Sequence, residues 1–530
     1  MKFSKSMIAQ AVGFAIAATA GSQAFAVPAS NYNEATQVTL RIGGATATRP
    51  GLLKLFQLNN ANNGICADNT LDQYESADKL QYLMICTGRV GGANPLPAAL
   101  QGARIAVHKS DTGGSGNGVA PLVRNLGAAL PDFFNVPTGG GFLNACAGVT
   151  TSPPSASFST FVLHTGCTGV VTEDRVPDAG ISDLEPAVFK SVFSPALTSS
   201  ELNAIPANPI SAVIFGITVT TKVRENMQRL LFPASSVCHP DNGAYATNAE
   251  TLACQPSLTR GQLAALYTQN YTDWTTIMGP GGSVASPDGV AAHDLASSGE
   301  VYICRRVSTS GTQAVFETQL LAQRCSASVP PFATAATDVL GGHVFEGSGS
   351  GNVVSCMKDR FTAGQGGIGV LSMEFPPADT SRTASDSGYR YIKINGVAPC
   401  LLPTVQSKYD FLGESTMQWR TSTIAGLVAL SGPPLNVATS VRDRIGAPAV
   451  VNDLNTGFSH AFCTTGGLGS GALVGNALSN AAGAAVPPFT VGTGLASDVV
   501  LHPIITKTRG VNGANSCGLP IDVLATELVN

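Results

Sequence analysis

Short apolar runs bounded by glycine- or hydroxyl-rich turns recur along the chain, and stretches with helical spacing follow several of them. This alternation predicts an α/β architecture with crossover connections. Four junctions stand out. At 301–306, Val-Tyr-Ile-Cys-Arg-Arg306 passes through Val-Ser-Thr into Ser310-Gly311-Thr312 and an amphipathic helix. At 38–42, Val-Thr-Leu-Arg-Ile precedes Gly43-Gly-Ala-Thr-Ala-Thr48-Arg49-Pro50 and a helical pattern at 52–57. At 103–107, Ala-Arg-Ile-Ala-Val leads to Ser110-Asp-Thr-Gly113-Gly114-Ser115-Gly116-Asn117-Gly118. The fourth, Asp178-Ala-Gly-Ile-Ser182-Asp183-Leu-Glu-Pro186, sets an Asp at a turn before a helix expected at 184–190, with a Pro suited to its first turn.

Such junctions suit anions. The first N–H groups of a helix lack intrahelical partners and carry the positive end of its dipole, so an oxyanion placed there collects several hydrogen bonds. Ser310 and Thr312 add hydroxyls, Gly311 allows close backbone approach, and Arg306 supplies a planar fork for two oxygens. Each junction alone has a plainer explanation. Ser-Gly-Thr at a helix start is an ordinary N-cap, and Asp183 could merely cap its own helix. The ordered set of four favours the functional explanation.

In this order the four segments resemble the phosphate-binding proteins of bacterial ABC uptake systems, which have the type 2 periplasmic binding-protein fold. In that family a Gly-Ala-Thr loop, a Gly-Ser-Gly loop, a Gly-Ala-Ser-Asp turn and an Arg-x-x-x-Ser-Gly-Thr turn converge on one dehydrated phosphate between two lobes. The resemblance implies phosphate binding by Thr48, Arg49, Ser115, Asp183, Arg306, Ser310, Gly311 and Thr312. It covers roughly residues 38 to 420 with insertions, and the runs at 210–217, 258–267 with Asp273-Trp274, and 366–371 are similar to further family elements. It implies a first lobe-1 segment at 27–215, lobe 2 at 216–374, and a return to lobe 1 plus a glycine-rich extension at 375–530, with crossings near 214–220 and 370–375. Two positions depart from the family: Arg49 stands where an aromatic residue is usual, and Ser308 where an Asp normally holds the arginine's other face.

Composition fits an exported two-lobed protein. Lys2 and Lys5, an apolar run at 7–20 and Ala24-Phe-Ala26 make residues 1–26 an expected cleavable secretory peptide. No cysteine follows the cleavage point, so no lipid anchor is expected, and no later run is long enough to span a bilayer. Losing the two lysines takes the formal net charge from −4 to −6. Without basic runs, nucleic acid is not expected as a partner. A share of 12% charged residues, with 58 Gly and 32 Pro, belongs to a loop-rich exported chain, here expected to be monomeric.

Twelve cysteines all lie beyond the leader: Cys66, Cys86, Cys146, Cys167, Cys238, Cys254, Cys304, Cys325, Cys356, Cys400, Cys463 and Cys517. Their order suggests six nearest-neighbour disulfides, with Cys304–Cys325 spanning the helix after Thr312, although spacing alone leaves connectivity open. Absence of Cys-x-x-Cys and seven scattered histidines make zinc or redox chemistry the poorer reading, and no cofactor is expected. The cysteine-bearing stretches at 60–95 and 130–175 are expected to be stapled loops, and Gly466–Gly494 a surface loop closed by Cys463 and Cys517.

Catalysis has little local support. Asn117 breaks a Gly-x-Ser-x-Gly elbow around Ser115, and His108 and His164 read as satisfied surface or core residues. Gly347-Ser-Gly-Ser-Gly351 lacks the Lys-Ser/Thr ending of a P-loop and reads as a flexible turn before a helix at 352–360. Three functions stay open: capture of inorganic phosphate for an ABC permease, phosphate scavenging or surface interaction without one, and phosphate-ester hydrolysis, which lacks a marked metal cluster or nucleophile.

Overall fold

The computed structural model describes residues 32–445, apart from 93, 128–129, 136–145, 169–171, 322–331, 374, 401–402 and 405–407, together with 473–475. The expected secretory peptide, Cys325, Cys463, Cys517 and the 466–494 loop apart from 473–475 lie outside the described residues.

The elements that position the candidate site are β1 (Val38–Gly44), α1 (Arg49–Gln57), β2 (Leu71–Ser76), β3 (Gln81–Thr87), β4 (Arg104–Ser110), β5 (Cys146–Ser152), β6 (Phe161–Cys167) and β7 (Ala179–Ser182). They are followed by β8 (Asn208–Thr220), α2 (Thr221–Leu231), α3 (Arg260–Tyr267), β9 (Val301–Arg306), α4 (Gly311–Gln319), β10 (Val344–Gly347), α5 (Ser350–Thr362), β11 (Gly366–Ser372), β12 (Tyr389–Ile394), β13 (Leu412–Trp419) and α6 (Gly432–Ile445). One sheet runs β10-β9-β11-β8-β13-β7-β1-β4-β3-β2-β6-β5, and β12 pairs with β8 off this path. This mixed α/β architecture is the fold class expected from the chain's pattern.

Parallel pairing explains why the turns meet. β1 runs parallel to both β4 and β7, with Ile42 opposite Lys109 on one side and Ala179 on the other. Their C-terminal ends therefore open on one edge, where α/β sheets characteristically hold ligands. β9 is parallel to β10 and β11, and its register sets Arg306 opposite Gly347.

β8 joins the two portions of the sheet. Its residues 208–214 pair with β13, and its residues 215–220 pair with β11 and β12. From Ile210 onward every residue of β8 is buried, which is why this strand reads as an almost unbroken apolar run. Downstream, Thr259 and Gln262 form a reciprocal capping box that starts α3, and Trp274 Nε1 donates to the Gly366 carbonyl at 2.9 Å.

Three expectations are corrected. The stretches at 60–95 and 130–175 are not simply stapled loops, because they supply β2, β3, β5 and β6, which extend the sheet beyond β4. Their short runs mix Thr, Ser and Gln with apolar residues, so alternation is weak and only pairing in series outward from β4 reveals the strands. The helix expected at 184–190 is a 3-10 helix over Pro186–Val192 with Glu185 at its N-cap, so Asp183 does not cap it.

Cysteine pairing is the third correction. Cys66–Cys86, Cys146–Cys167 and Cys238–Cys254 join sequence neighbours, but Cys304 pairs with Cys356 and not with Cys325. α5 packs across β9 and β11 and brings Cys356 to a Cα–Cα distance of 5.9 Å from Cys304. Sequence order cannot report such a crossing. Cys400, also disulfide-bonded, is thereby denied its nearest preceding neighbour.

Candidate functional site

β9 enters the site from one portion of the sheet. It stays wholly buried to Arg306, and the chain then turns through Val307–Thr309 so that Ser310 becomes the N-cap of α4, its hydroxyl accepting from the Gln313 N–H. The expected N-cap is therefore present. Gly311 and Thr312 occupy the first turn and are buried.

Arg306 is 2% exposed. Its guanidinium donates to the Gly347 carbonyl at 3.3 Å, the Ser350 hydroxyl at 2.8 Å and the Ser348 carbonyl at 2.7 Å. The 347–350 turn thus takes the supporting part that an Asp at position 308 would have played. Expected to be a flexible turn, it is a cradle for the arginine.

The turns after β4 and β7 approach from the other portion. Ser115 lies in the 3-10 turn Gly114–Gly118 after β4, and its hydroxyl donates to Asp183 Oδ2 at 3.2 Å while accepting from the Asp183 N–H at 3.1 Å. Both side chains press on α4. A Cβ built on Gly311 would collide with Asp183 Oδ2 and the Ser115 hydroxyl, so no larger residue fits there without displacing them. Beside it, the Gly116 N–H donates to the Thr309 carbonyl at 2.8 Å, and a Cβ on Gly114 would stand 3.5 Å from an Arg306 nitrogen. Ser115, Asp183, Arg306, Ser310 and Gly311 therefore form one cluster.

Asp183 is the chemically unusual member. Desolvation pushes its carboxyl up to about 6, opposed by the Ser115 hydrogen bond and the charges of Arg306 and Lys109, while Asp111 adds to the rise. Its Oδ1 is buried with no hydrogen-bond partner among the described residues. Thr48 Oγ1 shares that condition: the residue is wholly buried at the N-cap of α1, yet its hydroxyl makes no cap bond. Buried polar atoms left this way cost stability, and the condition is shared by side chains outside the cluster, such as Ser372, so it gains meaning here only beside the charges of Arg306 and Lys109.

Arg49 has a different commitment. Its guanidinium pairs with Asp111 and lies 4.8 Å from the Tyr82 ring centroid. Lys109 and Asp111, which the sequence did not single out, are buried beside the cluster. The available signal was a lysine and an aspartate closing an apolar strand, since β4 continues to Ser110 and does not stop at 107. His108 meets the Tyr32 hydroxyl at 3.0 Å, and His164 meets Asp72 at 3.2 Å while stacking on Tyr74, so both have the partners expected of structural histidines.

No protein-family model matches the chain, and no curated protein matches its sequence. Several solved structures resemble it distantly. An ABC-type phosphate transport receptor from Vibrio cholerae is 17% identical, with 47% of this chain and 70% of that one covered, at a TM-score of 0.25. PstS from Borrelia burgdorferi is 12% identical over 73% of this chain and 88% of its own, at 0.27. A periplasmic protein described as metal-binding is 12% identical over 80% and 93%, at 0.31. Likeness at this distance carries no argument about a ligand, which the site's own geometry must supply.

Proposed function

We propose that the chain is an exported, monomeric binding protein that captures inorganic phosphate, or a similar oxyanion still carrying a proton, between its two portions. The observation behind this reading is Asp183: a fully buried carboxyl with an unpartnered oxygen, set against the N-terminal turn of α4 and within the field of Arg306. Donors from α4, Ser115, Thr48 and Arg306 suit the ligand's charged oxygens, and Asp183 suits the one oxygen that bears a proton. Arg49 is left out of the first set because Asp111 engages it.

In the described conformation Asp183 and Ser115 touch α4 directly, so an oxyanion reaches these groups only when the two portions part at the 114–116 and 309–311 contact. Delivery to an ABC permease is the favoured use of such a site. Scavenging or surface interaction without a permease is the alternative, and a permease and ATPase encoded beside this gene would decide between them. Hydrolysis has less support: the metal-competent group found among the described residues, Asp241 with Asp288 and His293, belongs to none of the four turns, and Arg229 already bonds Asp241 at 3.0 Å.

Calorimetry on protein unfolded, stripped and refolded tests the reading. One phosphate should bind per chain, and Arg306→Ala should weaken it by about 2–5 kcal/mol, the usual loss when a charge partner leaves a desolvated site. No binding at millimolar phosphate, with another small ligand binding instead, refutes it.

A further inference from the structure

β4 ends in a charge that the fold keeps wholly from water. Lys109 is 0% exposed, and its ammonium donates to the Gly44 carbonyl at 2.8 Å, the Ser110 carbonyl at 2.7 Å and Asp111 Oδ1 at 2.6 Å. An ammonium has three protons, and these acceptors take all of them. The other Asp111 oxygen accepts from Arg49, the first residue of α1. Gly44 ends β1 just before the turn that leads to Thr48, while Ser110 ends β4 and Asp111 begins the turn that carries Ser115. One buried nitrogen therefore ties together two of the segments that border the site.

Holding a lysine here is expensive. Burial drives its ammonium toward the neutral form, and the carboxylate of Asp111 counters that most strongly. An apolar side chain would fill the space without the penalty, so the charge itself calls for a use. Lys109 with Asp111 and Arg49 leaves one net positive charge in the network, and it acts on Asp183 together with Arg306.

We propose that Lys109 is a positioning residue of the oxyanion site: it fixes the turns carrying Thr48 and Ser115 against one another and supplies the positive charge that keeps Asp183 ionised as a proton acceptor for the ligand. This rests on the phosphate reading above. The groups that face Asp183 are Ser115, Lys109 and Asp111 from β4 and its turn, and Arg306 from β9.

The test measures phosphate affinity between about pH 5 and 8.5 for the wild type, Lys109→Met, Lys109→Gln and Lys109→Arg, with circular dichroism to confirm folding. Lys109→Met should bind phosphate at least about tenfold more weakly, as expected for a lost charged hydrogen bond. The acid limb of its profile should move to higher pH, because Asp183 retains its proton longer. Lys109→Arg keeps the charge and should keep the limb in place. Lys109→Gln, neutral but able to donate to the same carbonyls, should move the limb as Lys109→Met does, which supplies the test should Lys109→Met not fold. Limbs that coincide in all folded variants overturn the inference while leaving phosphate binding standing. Should the wild type bind no phosphate, the functional reading fails first, and the carboxyl-carbon NMR titration of Asp183 in ligand-free protein then decides: an unmoved midpoint overturns the electrostatic role of Lys109, and an upward move in Lys109→Met upholds it.

Discussion

Asp183 shows how one carboxyl serves a binding site at the expense of the fold. Its folded-state value, pushed up to about 6, lies above that of an exposed aspartate, so the native state holds its proton more tightly than the unfolded chain does. The stability linked to that proton is fully present below about pH 4 and is lost as pH rises through about 6. Asp183→Asn, which cannot ionise, should therefore gain stability relative to the wild type across that window, by on the order of 2 kcal/mol at neutral pH. Denaturant melts at pH 4 and pH 7.5 check this, and a pH-independent difference would contradict it. The same substitution bears on selectivity. Phosphate keeps a proton near neutral pH and sulfate does not, so the ionised Asp183 penalises sulfate with an unpaired buried charge. Asp183→Asn should narrow the preference for phosphate over sulfate by at least about tenfold, roughly 1.4 kcal/mol, because an amide can donate to either anion. Competition binding measures the ratio, and an unaltered one removes Asp183 from the selectivity argument.

At the scale of elements, β9, its turn and α4 form a unit braced by α5. The Cys304–Cys356 bond lies two residues before Arg306 on β9 and six after Ser350 on α5, so it ties the strand that carries the arginine to the helix whose first turn cradles it. Peptide mapping of unreduced protein should recover Cys304 and Cys356 in one linked fragment. A Cys304–Cys325 fragment would instead restore the pairing suggested by sequence order. Ser310 caps α4, and Ser310→Ala should cost about 1 kcal/mol of stability through the lost cap alone. A larger fall in phosphate affinity than in stability would assign its hydroxyl to the ligand as well.

At the scale of the molecule, β8 is the strand through which the two portions of the sheet communicate. Its neighbours change from β13 to β11 and β12 near Ile214 and Phe215, which makes this region the natural place for bending. A ligand held from both sides favours the closed arrangement, and stripped protein should sample an open one. Small-angle scattering should show a smaller radius of gyration with phosphate than without it. Gly311→Ala, whose methyl would collide with Asp183 and Ser115, should hold the portions apart and leave the larger radius in both conditions. An unchanged profile in the wild type would point to a rigid site.

Local patterning was enough for the α/β class, the strand–turn–helix junctions and the residue types at them, because apolar runs, N-cap chemistry and glycine all act over a few residues. Ser310 as N-cap and the strands at β1, β4 and β9 were legible for that reason, and β8 and β11 through the family resemblance. What faces what was set by long-range packing. The strand character of 71–87 and 146–167 depended on pairing with β4 and its successors, Cys304 found Cys356 because α5 crosses β9, and Arg306 rests on the 347–350 turn because β9 and β10 lie in register. Burial of Lys109 and the turn of Arg49 toward Asp111 were equally hidden. Each depends on contacts between residues far apart in the chain, and a periodic pattern records only that a position is apolar or polar, never which distant partner shields or charges it.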